Sequence, residues 1–396
     1  MKIAQVEQFK QNSKERGRSN YSLYFYTYLA TNLIAVIVNS YLPIYFYNYL
    51  NVDRTQLAFA QIISYSALFV KPLISVYFDR TPKLNVPIRL VLVGIGAGIA
   101  LSFIAFVMTL PLLLVFGIFL GFNFAFISII DVIIKKVLIK KSDTEKEKNR
   151  NVLYLQAGSL TGAFLPPILR LTLSWELFFI ASFMVVIPLV VVLGFMGAPE
   201  YRPDTRKLSK ESFVAEFSLK NIGLVCIFTF LIYADQLYQY PLEPYLVSLI
   251  GETMFSIVFM GFLLINTLGI VLAGLISHRW DKKKILFYTT AVAGVSLLLT
   301  PFIPRLVFVG IYAVLMIIGG FMLVNLFSLL IDASQERITI YQTIAMFNVL
   351  ARVILVPLGT GLSVFISTEW IIFLAGVLSL LGLIPLSYIK IQPIEK

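Results

Sequence analysis

Hydrophobic residues in this chain come in long runs broken by short polar connections. A helix needs about 20 apolar residues to cross the hydrocarbon core of a bilayer. The runs supply twelve such segments, roughly 22–48, 56–78, 86–107, 111–134, 151–171, 176–197, 221–248, 255–277, 284–304, 307–331, 339–366 and 369–390. Strands are excluded at these lengths, because an open sheet edge in lipid leaves backbone groups unpaired. The pattern therefore predicts an all-α membrane protein with twelve transmembrane helices.

The polar connections carry an echo. Residues Phe69 to Lys83 leave an apolar segment through Asp79-Arg80-Thr81-Pro82-Lys83. About half a chain later, Gly274 to Lys283 leaves another through Ser277-His278-Arg279-Trp280-Asp281-Lys282-Lys283, and self-similarity at a fixed interval marks a repeat architecture. The echo runs into the helices. Tyr41-Leu42-Pro43-Ile44-Tyr45 near the end of the first parallels Tyr240-Pro241-Leu242-Glu243 near the end of the seventh. Ser128 to Asp131 in the fourth parallels Ser328 to Asp332 in the tenth. Trp175 and Trp370 are expected at matching edges of the membrane, as interfacial aromatics. The expected organisation is an N-terminal arm over 1–20, a six-helix bundle over 21–197, a linker over 198–220, a second bundle over 221–390 and a tail over 391–396. The bundles are pseudo-symmetric. Within the linker, Phe213, Val214, Phe217 and Leu219 among polar residues suit a helix lying on the membrane surface.

Composition agrees with this reading. The chain is 59% hydrophobic and 13% charged, with mean hydropathy +0.87, whereas soluble domains carry roughly twice that charge. The net charge of +11 could point to nucleic acid, but its distribution argues otherwise. Of the 32 Lys and Arg residues, 27 fall in the arm, the tail and alternate loops, the bias that places loops on the cytoplasmic side. Only Arg54, Arg170 and Arg305 lie on the opposite side, with Lys71 and Arg352 inside spans. Both termini are thus expected in the cytoplasm of a cell membrane. The first twenty residues lack the apolar core of a signal peptide. The single Cys226 reads as a small buried hydrophobe. One His and one Cys cannot build a usual metal site, and no phosphate-cradling loop or nucleophilic triad is visible. No cofactor and no enzymatic activity are expected.

Charges inside spans are costly and default to functional candidates. Asp235 in the seventh helix and Arg352 in the eleventh lie at similar depths, roughly 20 Å from the same side, which predicts an ion pair near mid-membrane. Gln239 and Glu243 follow Asp235 on one face, and Asn348 shares a face with Arg352. A second pair is expected between Lys71 in the second helix and Asp131 at the inner end of the fourth. Asn32, Asn39, Asn123 and Asn325 add amides, which serve more often as helix–helix glue. Gly158 and Gly162 read as close packing in the fifth helix.

The loop around Asp79 resembles a signature of the major facilitator superfamily, Gly-x-x-x-Asp-Arg-x-Gly followed by two basic residues. Asp79, Arg80 and Lys83 match, while Ser75, Pro82 and Leu84 depart from it. In the weaker second copy Gly274, Arg279, Lys282 and Lys283 match, while His278 and Asp281 do not. The resemblance implies a central solute site lined by the first, fourth, seventh and tenth helices. It also implies a cytoplasmic gate, onto which Asp79, Arg80, Lys83, Arg279 and Asp332 fall. Asp131 beside a long basic loop is somewhat like the folate–biopterin and muropeptide permease branches. The implied function is secondary transport of a small organic solute by a monomer in the lipid bilayer; the depth of Asp235 and, second, of Asp131 makes protons the expected coupling ion. An uptake symporter or permease, a multidrug or lipid exporter and a non-transporting receptor or scaffold remain open alternatives.

Overall fold

The computed structural model describes residues 22–74, 88–141, 145–195, 220–276, 281–334 and 338–389. Among these residues the chain is helical and passes back and forth twelve times. The passages are α1 (Ser22–Leu50), α2 (Arg54–Ile74), α3 (Ile88–Met108), α4 (Leu113–Lys141), α5 (Glu145–Thr172) and α6 (Trp175–Phe195). The second set begins with α7, which has two segments, Lys220–Ile232 and Gln239–Ile250. It continues with α8 (Glu252–Ile276), α9 (Lys282–Leu298), α10 (Arg305–Ser334), α11 (Ile338–Leu362) and α12 (Thr368–Leu381, extended by Leu383–Tyr388).

Ten of the described passages are long and apolar enough to cross a membrane. The other two fall short for local reasons. α5 opens with Glu145-Lys146-Glu147-Lys148-Asn149-Arg150, and α7 is interrupted. The expected continuous seventh helix is corrected here to two segments joined by a 3-10 turn over Ala234–Leu237. Pro241 has no N–H to offer the Leu237 carbonyl one turn back, and Pro244 none to offer Tyr240. α1 meets the same problem at Pro43 and solves it by widening, with π-helical turns at Ile37–Tyr41 and Tyr45–Leu50.

Consecutive passages join at two faces. At one, here the turn face, α1–α2, α3–α4, α5–α6, α7–α8, α9–α10 and α11–α12 connect through short turns. Asn51 (φ 45) and Gly251 (φ 80) take left-handed conformations there, and the Asp53 carboxylate caps α2 by accepting from Thr55 N at 2.8 Å. Both chain ends lead from the other, terminal face.

The repeat is visible in the packing. α2 packs on α4, α3 on α4 and α3 on α6; six helices on, α8 packs on α10, α9 on α10 and α9 on α12. α5 lies against α1, where a Cβ at Gly158 or Gly162 would overlap the carbonyl oxygens of Phe25 and Leu29, as close packing predicts. Its counterpart α11 lies against the α7 turn, where a Cβ at Gly359 would overlap the Leu237 oxygen. Across the halves, α2 meets α11, α5 meets α8, and α1 meets the second segment of α7.

One apolar core runs through the first half and the turn-face part of the second. At the terminal face the second half has a separate core, including Ile222, Val225, Phe228, Leu286, Leu330 and Leu386. The halves are thus fused towards the turn face and packed independently towards the terminal face. Cys226 belongs to the second core and is buried, as expected. Trp370 is half exposed, but Trp175 is not the interfacial residue its sequence position suggests. It is 8% exposed, enclosed by Tyr45, Tyr49, Phe178 and Phe179.

Candidate functional site

The turn-face seal is built from helix ends. Arg170 in the last turn of α5 pairs with Glu252 in the first turn of α8, Nη2 to Oε1 at 2.5 Å. Tyr49 Oη donates to the other Glu252 oxygen at 2.5 Å. The pseudo-symmetric junction of α2 with α11 uses different chemistry for the same purpose. Arg54, the first residue of α2, donates to the Ser363 carbonyl just beyond α11 at 2.6 Å. The Tyr47 and Ser363 hydroxyls lie 3.1 Å apart. Each arginine also covers an aromatic ring, Arg170 over Trp175 at 4.4 Å and Arg54 over Tyr47 at 4.5 Å. A cation near a helix C-terminus and an anion near an N-terminus both gain from the helix dipole, so α5 and α8 are joined end to end in the favourable sense. Under these contacts Tyr41 packs among Phe178, Phe255 and Phe259, and its hydroxyl reaches Ser256 Oγ at 3.4 Å.

Beneath the seal lies the α7 turn. Ala234, Gln236 and Leu237 are buried there, while Asp235 between them is exposed. Its electrostatic neighbours are Arg352, Tyr238 and Tyr312, from α11, α7 and α10. A carboxylate that is accessible at mid-span and ringed by protein lines a water-accessible recess, since lipid would not hold it. Gln236 Nε2 donates to Asp235 Oδ2 at 3.2 Å. The expected direct Asp235–Arg352 ion pair is not formed. Arg352 exerts the positive field on Asp235, but its own Nε is buried without a hydrogen-bond partner. The break explains the difference. It swings residues 233–238 off the helical path from which equal depth was judged.

Glu243, two turns further along α7, is 6% exposed, with Oε2 unpartnered. It faces Ser40 across the junction with α1, and Tyr41, Tyr65, Tyr238, Tyr240 and Tyr312 lie within its electrostatic reach. Gln239 is partly buried where the second segment begins, and Asn348 is partly buried on α11 with Oδ1 unpartnered.

The Lys71–Asp131 ion pair is present. Tyr28 of α1 donates to the same carboxylate at 2.6 Å, so Asp131 ties α1, α2 and α4 together near the terminal face. The amides are largely engaged in packing. Asn32 donates to Ser159 across α1 and α5, and Asn39 accepts from Tyr65 Oη at 3.2 Å. Asn123 clamps α4 to α3 through Ile99 O at 2.9 Å and Ser102 Oγ at 3.0 Å. Asn325, fully buried, donates to Phe321 O of its own helix at 2.9 Å. Of the expected gate residues, Asp79, Arg80, Lys83 and Arg279 lie outside the described residues, as does the side chain of Asp332.

Sequence reasoning missed Gln61, buried on α2 beside the Tyr240 hydroxyl. It also missed Asn266, which joins α8 to α10 through Met316 O at 3.0 Å. Above all it missed the seal. The three basic residues of the turn face were the available signal, since two of them, Arg54 and Arg170, make the contacts between halves.

The architecture defines a polytopic membrane protein of two repeat-related six-helix halves, closed at one face. Residues 225–396 match the sequence family described as Major Facilitator Superfamily. A crystal structure of the nucleoside transporter NupG matches with a TM-score of 0.73 at 14% identity, over 94% of this chain and 99% of that one. No curated protein sequence matches the chain. The family match covers the second half of the chain, and the structural match shows that the whole chain shares the fold of that transporter.

Proposed function

We propose that the protein moves a small organic solute by alternating access, with the solute held at the α7 turn between Asp235 and Arg352 and transport coupled to protons. The exposed mid-span carboxylate of Asp235, set in a broken helix and facing an arginine, carries this reading. A site with both charge signs and surrounding tyrosines suits an amphipathic or zwitterionic solute better than an inorganic ion or a heavily hydrated sugar. The units that rock are the bundles over 21–197 and 221–390, in a cell membrane with both termini cytoplasmic. The closed turn face then makes this an inward-open state of a monomer.

A thermal-shift screen of the purified protein against a broad solute library, nucleosides included because of the fold shared with NupG, identifies ligands through the stability they add. Run in parallel on Asp235→Asn, it is expected to give a narrow set of hits weakened by the substitution. In proteoliposomes the same variant should lose pH-driven uptake and keep solute exchange. Unchanged pH-driven uptake removes Asp235 from the coupling mechanism. The aromatic surroundings also favour a drug or lipid exporter, for which the screen would return many weak apolar hits. A panel with no hits, together with no flux, would favour a scaffold.

A further inference from the structure

Glu243 has no part in the solute site described above, yet among the described residues it is the most deeply buried carboxyl. No cation lies within ion-pair distance of it among the described residues, and one of its oxygens has no hydrogen-bond partner. Around it stand Ser40 and Tyr41 of α1, Tyr65 of α2, Tyr312 of α10, and Tyr238 and Tyr240 of its own helix. The charged groups on the other elements packed against it are engaged elsewhere. Arg352 of α11 acts on Asp235 and Tyr65, Glu252 of α8 pairs with Arg170, and Glu369 of α12 pairs with Arg305 at 3.0 Å. Burying an ionised carboxylate without a partner is far costlier than burying the neutral acid. A Glu243 enclosed in this way is compatible with the seal only while it carries its proton.

We propose that Glu243 is a proton-binding site that sets the turn-face seal: protonated, it lets the outer segment of α7 dock against α1, and ionised, it holds that face open to water. The proton leaves to the water that enters at the turn face and returns by the same route. The inference rests on the alternating-access reading but on neither the solute nor pH-driven uptake. The sign follows directly. The protonated form dominates at low pH and favours closure, so opening increases as pH rises.

The test needs no substrate. In a Cys226→Ser background, Ser256→Cys places a thiol on α8 that is buried while the face is sealed. Its labelling by a membrane-impermeant maleimide is followed across pH in nanodiscs, for otherwise native protein and for Glu243→Gln. The ratio of the two rates at each pH removes the titration of the thiol itself. The expected result is labelling that rises by about tenfold relative to Glu243→Gln between acid and alkaline pH, the amide variant staying sealed throughout. A constant ratio overturns the proposal. Glu243→Asp keeps a carboxyl on a shorter stem and covers the case in which the amide variant does not fold. Its profile must move along the pH axis, and an unmoved profile is equally fatal. If the seal responds to Glu243 while Asp235→Asn leaves uptake intact, only the solute and coupling reading fails. The reverse outcome removes Glu243 alone.

Discussion

Alanine at Gly359 tests whether the interruption in α7 is built jointly with α11. A Cβ there would stand 2.7 Å from the Leu237 carbonyl carbon and overlap its oxygen, where ordinary contact begins at 3.4 Å. The opposing atoms are backbone, so no change of rotamer relieves the clash. α11 or the 3-10 turn has to retreat by about 1 Å, and a gap of that size forfeits a quarter to a half of each dispersion contact it opens. Overpacking of this kind costs about 3 kcal/mol, while replacing a helical glycine by alanine returns about 1 kcal/mol. The net loss is about 2 kcal/mol, enough to lower the melting temperature by several degrees. Gly361, two residues on, has nothing within 4 Å of its notional Cβ and provides the control. Monodispersity after heating, read by fluorescence-detected gel filtration, should rank Gly359→Ala below the parent and Gly361→Ala at or above it. Equal melting of the two variants would refute the idea that the glycine makes room for the displaced carbonyl.

Two further outcomes follow from the charge pairs. Arg170 and Glu252 keep 14% and 21% side-chain exposure, between the exposed and fully buried cases, so a double-mutant cycle of Arg170→Gln and Glu252→Gln should give a coupling of about 1–2 kcal/mol. Read through maleimide access to Ser256→Cys, additive single effects would show that the pair does not latch the face. Asp131→Asn removes the negative charge shared by Lys71 and Tyr28, turns one acceptor oxygen into a donor, and should cost about 1–3 kcal/mol in thermal stability. Lys71→Met combined with Asp131→Leu should recover part of it, and a double variant less stable than Asp131→Asn contradicts this.

Ten of the passages were legible because lipid demands uninterrupted apolar length and the sequence supplies it; α5 and α7 were legible from their place in the repeat. Lys71 and Asp131 were legible because a long basic stem can search for its partner, so a one-turn error in depth does no harm. The α7 break was half legible. Pro241 and Pro244 stand in the sequence, but proline alone also permits the widened helix that α1 adopts around Pro43. The tightly docked backbone at Gly359, more than a hundred residues away, distinguishes the two. Of the seal only the basic residues were legible, not their partners. Arg170 and Glu252 lie on different halves, and nothing in the order of residues says which ends meet when the halves close. Trp175 was hidden for a related reason, since a position at a helix end suggests an exposed aromatic, and only the fold shows α1 and the end of α5 covering it.

The two passages that fall short of spanning on their own have a consequence for how the chain is made. α5 and the divided α7 are the ones a translocation channel is least able to release into lipid unaided, because their polar or interrupted stretches need protein partners. For α5 the partner is already waiting: the Phe25 and Leu29 backbone that receives Gly158 and Gly162 was synthesised first. For α7 the partner comes late. Gly359 follows Leu237 by about 120 residues, so at ordinary synthesis rates the Leu237 carbonyl stays without its packing surface for about ten seconds. Slowing synthesis between α8 and α11 would lengthen the exposure of this helix specifically, and quality-control proteases would meet it there first.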